Sequence, residues 1–246
     1  MFIAKNKKGQ RVHIDDVIQL NDREYTCPIC GGEVIVKNGL TNAPHFAHKR
    51  LDNCDTFTSD MSEWHKNWQS LFPERNREVG LPFGNPIHRA DILAWGHVIE
   101  IQKSKITREE FNERNKFYTS LGYKVIWIFD ARELIAEERL ENYDSRYEGK
   151  GQYSLNWRWN YAWKIFTDWN PVRNKNIKVF FQVPDNFDDY YYYDDEIGDI
   201  QEVVWAINEY GKTNMRRFIT SDKIETPKDL MEYLESEYNK KHKQVA

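Results

Sequence analysis

The spacing of apolar residues changes period several times along the chain, and each change predicts an element. In "SDMSEWHKNWQSLFP", residues 59–73, Met61, Trp64, Trp68, Leu71 and Phe72 recur at helical spacing on one face, and Pro73 marks the end. Residues 76–83 and 89–103 read as three short strands, the last two folding on each other about Trp95–Gly96. A second helix follows in "ITREEFNERNKFYTSLGY". Thr107 and Glu110 form a T-x-x-E capping box, Ile106 and Phe111 stand where a hydrophobic staple needs them, and Gly122 suits a left-handed stop. "KVIWIFD" at 124–130 is an apolar run of the kind buried on both faces of a sheet. Helix, three strands, helix, strand make an α/β (α+β) central block.

The flanks carry weaker patterns. In residues 1–55 "MFIA", "RVHI" and "GGEVIVKNG" are strand-like and no long helix is visible. Beyond the block, 132–142 reads as helix, "IKVFFQV" at 177–183 as a strand, 202–220 as two strands around "EYGKTN", and 227–242 as a polar helix. The predicted organisation is an N-terminal unit at 1–55, a core at 56–135 and a C-terminal α+β extension at 136–246.

The hairpin "HRADILAWGHVIEIQKS", residues 88–104, raises a chemical question. A loop centred on Trp95–Gly96 pairs residues whose numbers sum to 191, so Asp91 lies opposite Glu100, and Gln102 shares their face. Two carboxylates opposite each other, about 5 Å apart, repel. A divalent cation would relieve this, and Mg²⁺ is typically held by one or two carboxylates with substrate phosphate. The plainer reading is an exposed edge hairpin whose acids pair with Arg89 and Lys103. The alternating Ile92, Leu93, Ile99 and Ile101 favour covered faces and hence the metal seat.

Charge refines the picture. The 246 residues carry a net charge of −4, yet 185–202, "DNFDDYYYYDDEIGDIQE", holds eight Asp or Glu and no Lys or Arg. The rest is mildly basic, which leaves nucleic acid open as a partner. The acidic run reads as a solvated loop. The first residues form no secretory signal and no segment is apolar enough for a membrane, so a cytoplasmic location is expected. The sequence carries no signal for an oligomeric state.

Three cysteines, Cys27, Cys30 and Cys54, argue against a disulfide scaffold. Cys27-x2-Cys30 followed after fourteen residues by His45-x2-His48 matches a CCHH zinc pattern, except that the gap between the histidines is short. Cys54 is therefore an alternative fourth ligand in place of His45 or His48. Structural Zn²⁺ is expected, and Lys5, Lys7, Lys8, Arg11, Lys49 and Arg50 make the unit basic enough to grip phosphates.

Several short motifs in order carry a family resemblance. "CPIC", "HFAH", "SEWH", "HRADI", "IEIQKS" and "VIWIFD" resemble the CoiA-like branch of the PD-(D/E)XK nuclease superfamily, over roughly residues 1–130. The resemblance implies a restriction-endonuclease-like αβββαβ core and Mg²⁺- or Mn²⁺-dependent cleavage of DNA. Asp91 and Glu100 match the motif's acids, and Gln102 stands where the superfamily pattern has Lys. Glu63 and His65 match the helix motif. A helical wheel sets them about 200° apart, so Glu63 is expected as an outer metal ligand and His65 as a phosphate contact or proton carrier. Arg89 and Ser104 also fit the motif, as DNA-binding residues. A non-cleaving DNA-binding factor of competence type that keeps the fold is the alternative, because Gln102 lacks the charge of Lys.

Overall fold

The computed structural model describes residues 1–20, 24–40, 42–50, 54, 62–81, 87–103, 105–130, 140–142, 152–157, 175–183, 203–209, 216–219 and 227–243. They fall into two compact units, Met1–Ala94 with Val98–Ser104, and Trp95–His97 with Lys105–Ala246. The expected boundaries at 55/56 and 135/136, the acidic run 185–202 and Ser104 lie outside the described residues.

The first unit begins with short strands: β1 (Ile3–Lys5), β2 (Arg11–His13), β3 (Tyr25–Thr26), β4 (Glu33–Lys37) and β5 (His45–His48). They form an antiparallel sheet in the order β2-β1-β3-β4-β5, with the one-turn helix α1 (Ile14–Val17) after β2. Phe2, Ala4, Ile14, Val17, Tyr25, Val34 and Phe46 make its core. "HFAH", taken from the sequence only as a ligand pair, is the strand β5.

Helix α2 (Glu63–Ser70) starts where Ser62 Oγ accepts the His65 N–H at 3.2 Å, an N-cap that satisfies one orphan donor. It buries Trp64 and Trp68, and Phe72 beyond its end, while Leu71 turns outward. Past its end Arg77 donates to the carbonyls of Phe72 (2.6 Å) and Ser70 (2.9 Å), groups that no intrahelical donor reaches. A 3-10 turn, Glu74–Asn76, leads into β6 (Arg77–Leu81), then β7 (His88–Ala94) and β8 (His97–Gln102), with β7 between the other two. Trp95 and Gly96 both have positive φ, +48° and +72°, as a two-residue I′ hairpin turn requires. The turn is centred where the sequence places it.

In the second unit α3 (Arg108–Ser120) follows its local signals, with the expected capping box half formed. Thr107 Oγ1 accepts the Glu110 N–H at 3.1 Å, Ile106 and Phe111 are both buried, and Glu110 turns its carboxylate to Arg114 at 2.6 Å. At the other end Gly122 (φ +83°) donates to Thr119 and Tyr123 to Tyr118, a Schellman motif. Phe111 packs on Trp127 of β9 (Lys124–Asp130), their centroids 4.9 Å apart, and Asn115 Oδ1 accepts the Trp127 indole N–H at 2.9 Å.

Strand β12 (Ile177–Val183) runs parallel to β9, and antiparallel pairs join it to β13 (Val203–Glu209) and β13 to β14 (Arg216–Ile219). Beyond β14 lie β11 (Gln152–Trp157) and β10 (Leu140–Asn142). Residues 140–142, read from the sequence as the end of a helix, are a strand paired with 155–157. Helix α4 (Pro227–Lys243) buries Leu230 and Leu234. Among the described residues no helix is long and apolar enough to cross a membrane.

In chain order α2, β6, β7, β8, α3 and β9 give the αβββαβ succession. Two sheets of mixed α/β content with a Cys/His cluster in the N-terminal region are consistent with an α+β fold bearing a small zinc unit.

Candidate metal centre and candidate active site

Cys27, Cys30, His48 and Cys54 bring their ligand atoms within 4.8 Å of one another. Cys30 Sγ lies 3.3 Å from His48 Nε2, and Cys27 Sγ 3.8 Å from Cys54 Sγ. The knuckle "CPICGG" bends at Gly31 (φ +74°) and aims backbone N–H groups at the sulfurs, Ile29 at Cys27 and Gly32 at Cys30, both 3.4 Å. Such N–H groups cushion thiolate charge. The hydrogen bond from Cys54 pulls the Cys27 thiol well below its ordinary range, with help from His48 and the knuckle amides. Soft sulfur and imidazole donors in this number fit Zn²⁺ as a closed, structural set.

The ligand set corrects one expectation. His45 is not in the cluster: its Nδ1 lies 2.8 Å from the Ala43 carbonyl, and Cys54 takes its place. The cause is strand parity. His45 and His48 are three residues apart on β5, so their side chains leave opposite faces and cannot meet on one ion.

The cluster is seated against β6 and β7. A Cβ on Gly80 of β6 would come within 2.9 Å of the Ile29 side chain, so the knuckle rests where only glycine leaves room. Cys54 forms a parallel bridge with Ile87, the residue before β7.

Strand β7 carries Asp91, only 5 % exposed, and β8 carries Glu100 and Gln102, 1 % and 5 % exposed. The exposed-edge reading of the hairpin therefore fails. The I′ turn sets Asp91 opposite Glu100 when the pairing continues unbroken. Asp91 Oδ2 accepts the Ile101 N–H at 2.9 Å, and Oδ1 lies 3.3 Å from His65 Nε2. Burial pushes this carboxyl up, but the charge and hydrogen bond of His65, the Ile101 N–H and the charge of Arg89 outweigh it, leaving Asp91 below its usual range.

Helix α2 delivers His65 to this carboxylate and keeps Glu63 away. His65 is fully buried, whereas the Glu63 side chain is 61 % exposed with Oε2 3.7 Å from Lys66 Nζ. The wheel argument that both cannot reach one ion holds, but the inward residue is His65 and the outer-ligand role expected of Glu63 has no support in this placement. Arg89 is half-buried on β7, in register with Gly80.

Two residues escaped the sequence reading. Gln69, 3 % exposed and one turn after His65, places its amide nitrogen 3.0 Å from His65 Nε2. An i, i+4 polar pair on a buried helix face was the available signal. Glu78 has φ +47° and is 1 % exposed, and its carboxylate accepts the N–H groups of Phe2 (2.7 Å) and Ile3 (2.9 Å). The pairs Arg77–Ile92 and Val79–Ala90 bracket it against Asp91, so a third buried acid borders the hairpin. No local signal marks it, because the register and the contact with β1 are long-range.

The fold and site define an α+β block of helix, three strands, helix and strand with a Cys/His unit before it, and comparison with known proteins gives both parts a likeness. Residues 9–57 match the family described as Competence protein CoiA, N-terminal domain, and residues 82–148 match Competence protein CoiA, nuclease-like domain. Competence protein CoiA of Bacillus subtilis (strain 168) is 32% identical over 120 residues, which covers 45% of this chain and 32% of that relative. The chain thus matches about a third of that curated relative's length. No solved structure matches. By these matches the chain is similar to CoiA in two segments, the N-terminal match preceding the nuclease-like one. Helix α2 falls between the two matched segments.

Proposed function

We propose that the chain is a metal-dependent DNA nuclease, with Asp91 and Glu100 as the carboxylates that hold Mg²⁺ or Mn²⁺. The observation that carries this reading is a pair of buried acids on adjoining strands of a nuclease-like block. Their oxygens suit a hard cation, and two protein carboxylates leave coordination to water and phosphate. Such an ion, when bound, supplies Lewis-acid charge and a more acidic water.

The chain's own groups have separate tasks. The Ile101 N–H fixes Asp91 Oδ2, so the carboxylate cannot rotate freely. His65 holds the other oxygen. Gln102 orients the attacking water through its amide, in the position where the resemblance expects Lys. Arg89 holds a phosphate, and the basic N-terminal unit positions the duplex without reading its sequence.

The buried neutral Gln102 supports a second reading, a DNA-binding factor that keeps the fold without cutting. Plasmid and single-stranded DNA incubated with Mg²⁺, Mn²⁺ or EDTA separate the two. The nuclease reading expects metal-dependent cleavage that Asp91→Ala abolishes while DNA binding persists, and a smaller loss in Gln102→Ala. Cleavage by Asp91→Ala at the wild-type rate would remove the assignment. DNA binding without cleavage by any form would establish the second reading.

A further inference from the structure

His65 is held in an asymmetric way. Its ring is fully buried, and among the described residues its Nδ1 has no hydrogen-bond partner. Its Nε2, by contrast, faces two groups at once, Asp91 Oδ1 at 3.3 Å and the Gln69 amide at 3.0 Å. The edge of Phe2 closes on the ring, the centroids 6.0 Å apart. A ring nitrogen carries either one hydrogen or one lone pair, so the two neighbours cannot make independent demands on it.

The states of the neutral ring are limited. With a hydrogen on Nε2 shared by Asp91 Oδ1, the Gln69 amide must present its oxygen, which a half-turn of the amide provides. With the amide N–H on Nε2 instead, the ring hydrogen moves to Nδ1, where it lacks an acceptor among the described residues, a state that burial disfavours. Amide orientation and ring hydrogen are therefore set together, and the ring cannot turn about its Cβ without giving up both partners.

We propose that Gln69 is a positioning residue of the candidate active site: its amide locks the His65 imidazole with Nε2 toward Asp91 and so fixes the carboxylate that holds the divalent cation. The proposal rests on the reading of Asp91 as a metal-holding carboxylate. It makes Gln69 an outer support of the kind whose loss typically weakens metal affinity or activity about 10–100-fold. Gln69 touches neither the cation nor DNA in this scheme and acts through His65 alone.

The test uses the full chain with ¹⁵N-labelled histidine at one pH, with Mg²⁺ as the added ion. In the wild type the His65 imidazole should show one tautomer, with the hydrogen on Nε2. Gln69→Met, of equal length but without an amide, should shift or broaden that pattern. The acceptor-only Gln69→Glu should restore it. Gln69→Leu gives the same comparison if the Met variant fails to fold. Calorimetry should show Mg²⁺ binding weakened about 10–100-fold by Gln69→Met, and no further weakening when the same change is made in a His65→Leu background. An unchanged His65 pattern in Gln69→Met overturns the proposal, as does an equal loss of affinity with and without His65. Should the wild type bind no Mg²⁺, the nuclease reading falls, and the imidazole pattern alone then decides for or against Gln69 as the brace.

Discussion

The Cys3His cluster and the Asp91 carboxylate belong to the same compact unit and are built from different donors to different ends. The cluster gathers four ligands from the knuckle, β5 and Cys54, which is bridged to Ile87 just before β7. Nothing remains for a substrate to add, which is how a site that only holds a fold is made. The proposed carboxylate site would draw oxygens from two neighbouring strands, and Ile101 and His65 contact Asp91 while Gln69 contacts His65. The difference teaches that saturation of an ion by protein would separate the cluster, as a structural centre, from the proposed reactive one, even where a single strand, β7, has Ile87 at its entry bridged to the cluster's Cys54 and Asp91 in its middle.

The sharpest test of this division exchanges the disputed ligands. Cys54→Ser should abolish zinc retention and lower the melting temperature most of all the changes considered, because metal binding and folding are one equilibrium in such a unit. His45→Ala should keep the full zinc content by elemental analysis. Equal zinc loss in both variants would break the ligand assignment. The joint between knuckle and β6 comes next. Gly80→Val should destabilise by about 1–3 kcal/mol through the clash with Ile29, and Ile29→Ala in the same chain should recover part of it in denaturant melts. Glu78→Ala should cost a similar amount, roughly 1–3 kcal/mol, by leaving two buried amides unsatisfied, with zinc content unchanged.

A smaller effect distinguishes the carboxylate site by its pH response. Burial would raise the Asp91 carboxyl, but His65 and the Ile101 N–H hold it below its ordinary value. A group depressed on folding adds stability above its unfolded value, near 3.9, and loses it as pH falls through the folded one. Relative to Asp91→Asn, the wild type should therefore lose stability as the pH drops below about 4, read as melting temperature against pH. A wild-type advantage that stays unchanged as the pH falls below about 4 would contradict the assignment.

What the sequence made legible follows the range of the interactions involved. Helix α3 was readable end to end because its cap, staple and Schellman stop are all local. The hairpin turn at Trp95–Gly96 was readable because the turn signal is local. The zinc spacing left His45, His48 and Cys54 as alternatives because the choice depends on parity along β5, which that spacing does not mark. Glu63 and His65 could be set on opposite flanks but not oriented, since orientation depends on what α2 packs against. Glu78 depends on β1 and on register, neither of which leaves a mark within a short window of sequence.

The central claim is that the hairpin holds a divalent cation independently of the zinc cluster. Titration of Mn²⁺ into the zinc-loaded chain, with bound ion counted by electron paramagnetic resonance, tests it most directly. One Mn²⁺ per wild-type chain is expected, with binding lost in Asp91→Asn while zinc content stays constant. An Asp91→Asn chain that binds Mn²⁺ as tightly as the wild type would contradict the account.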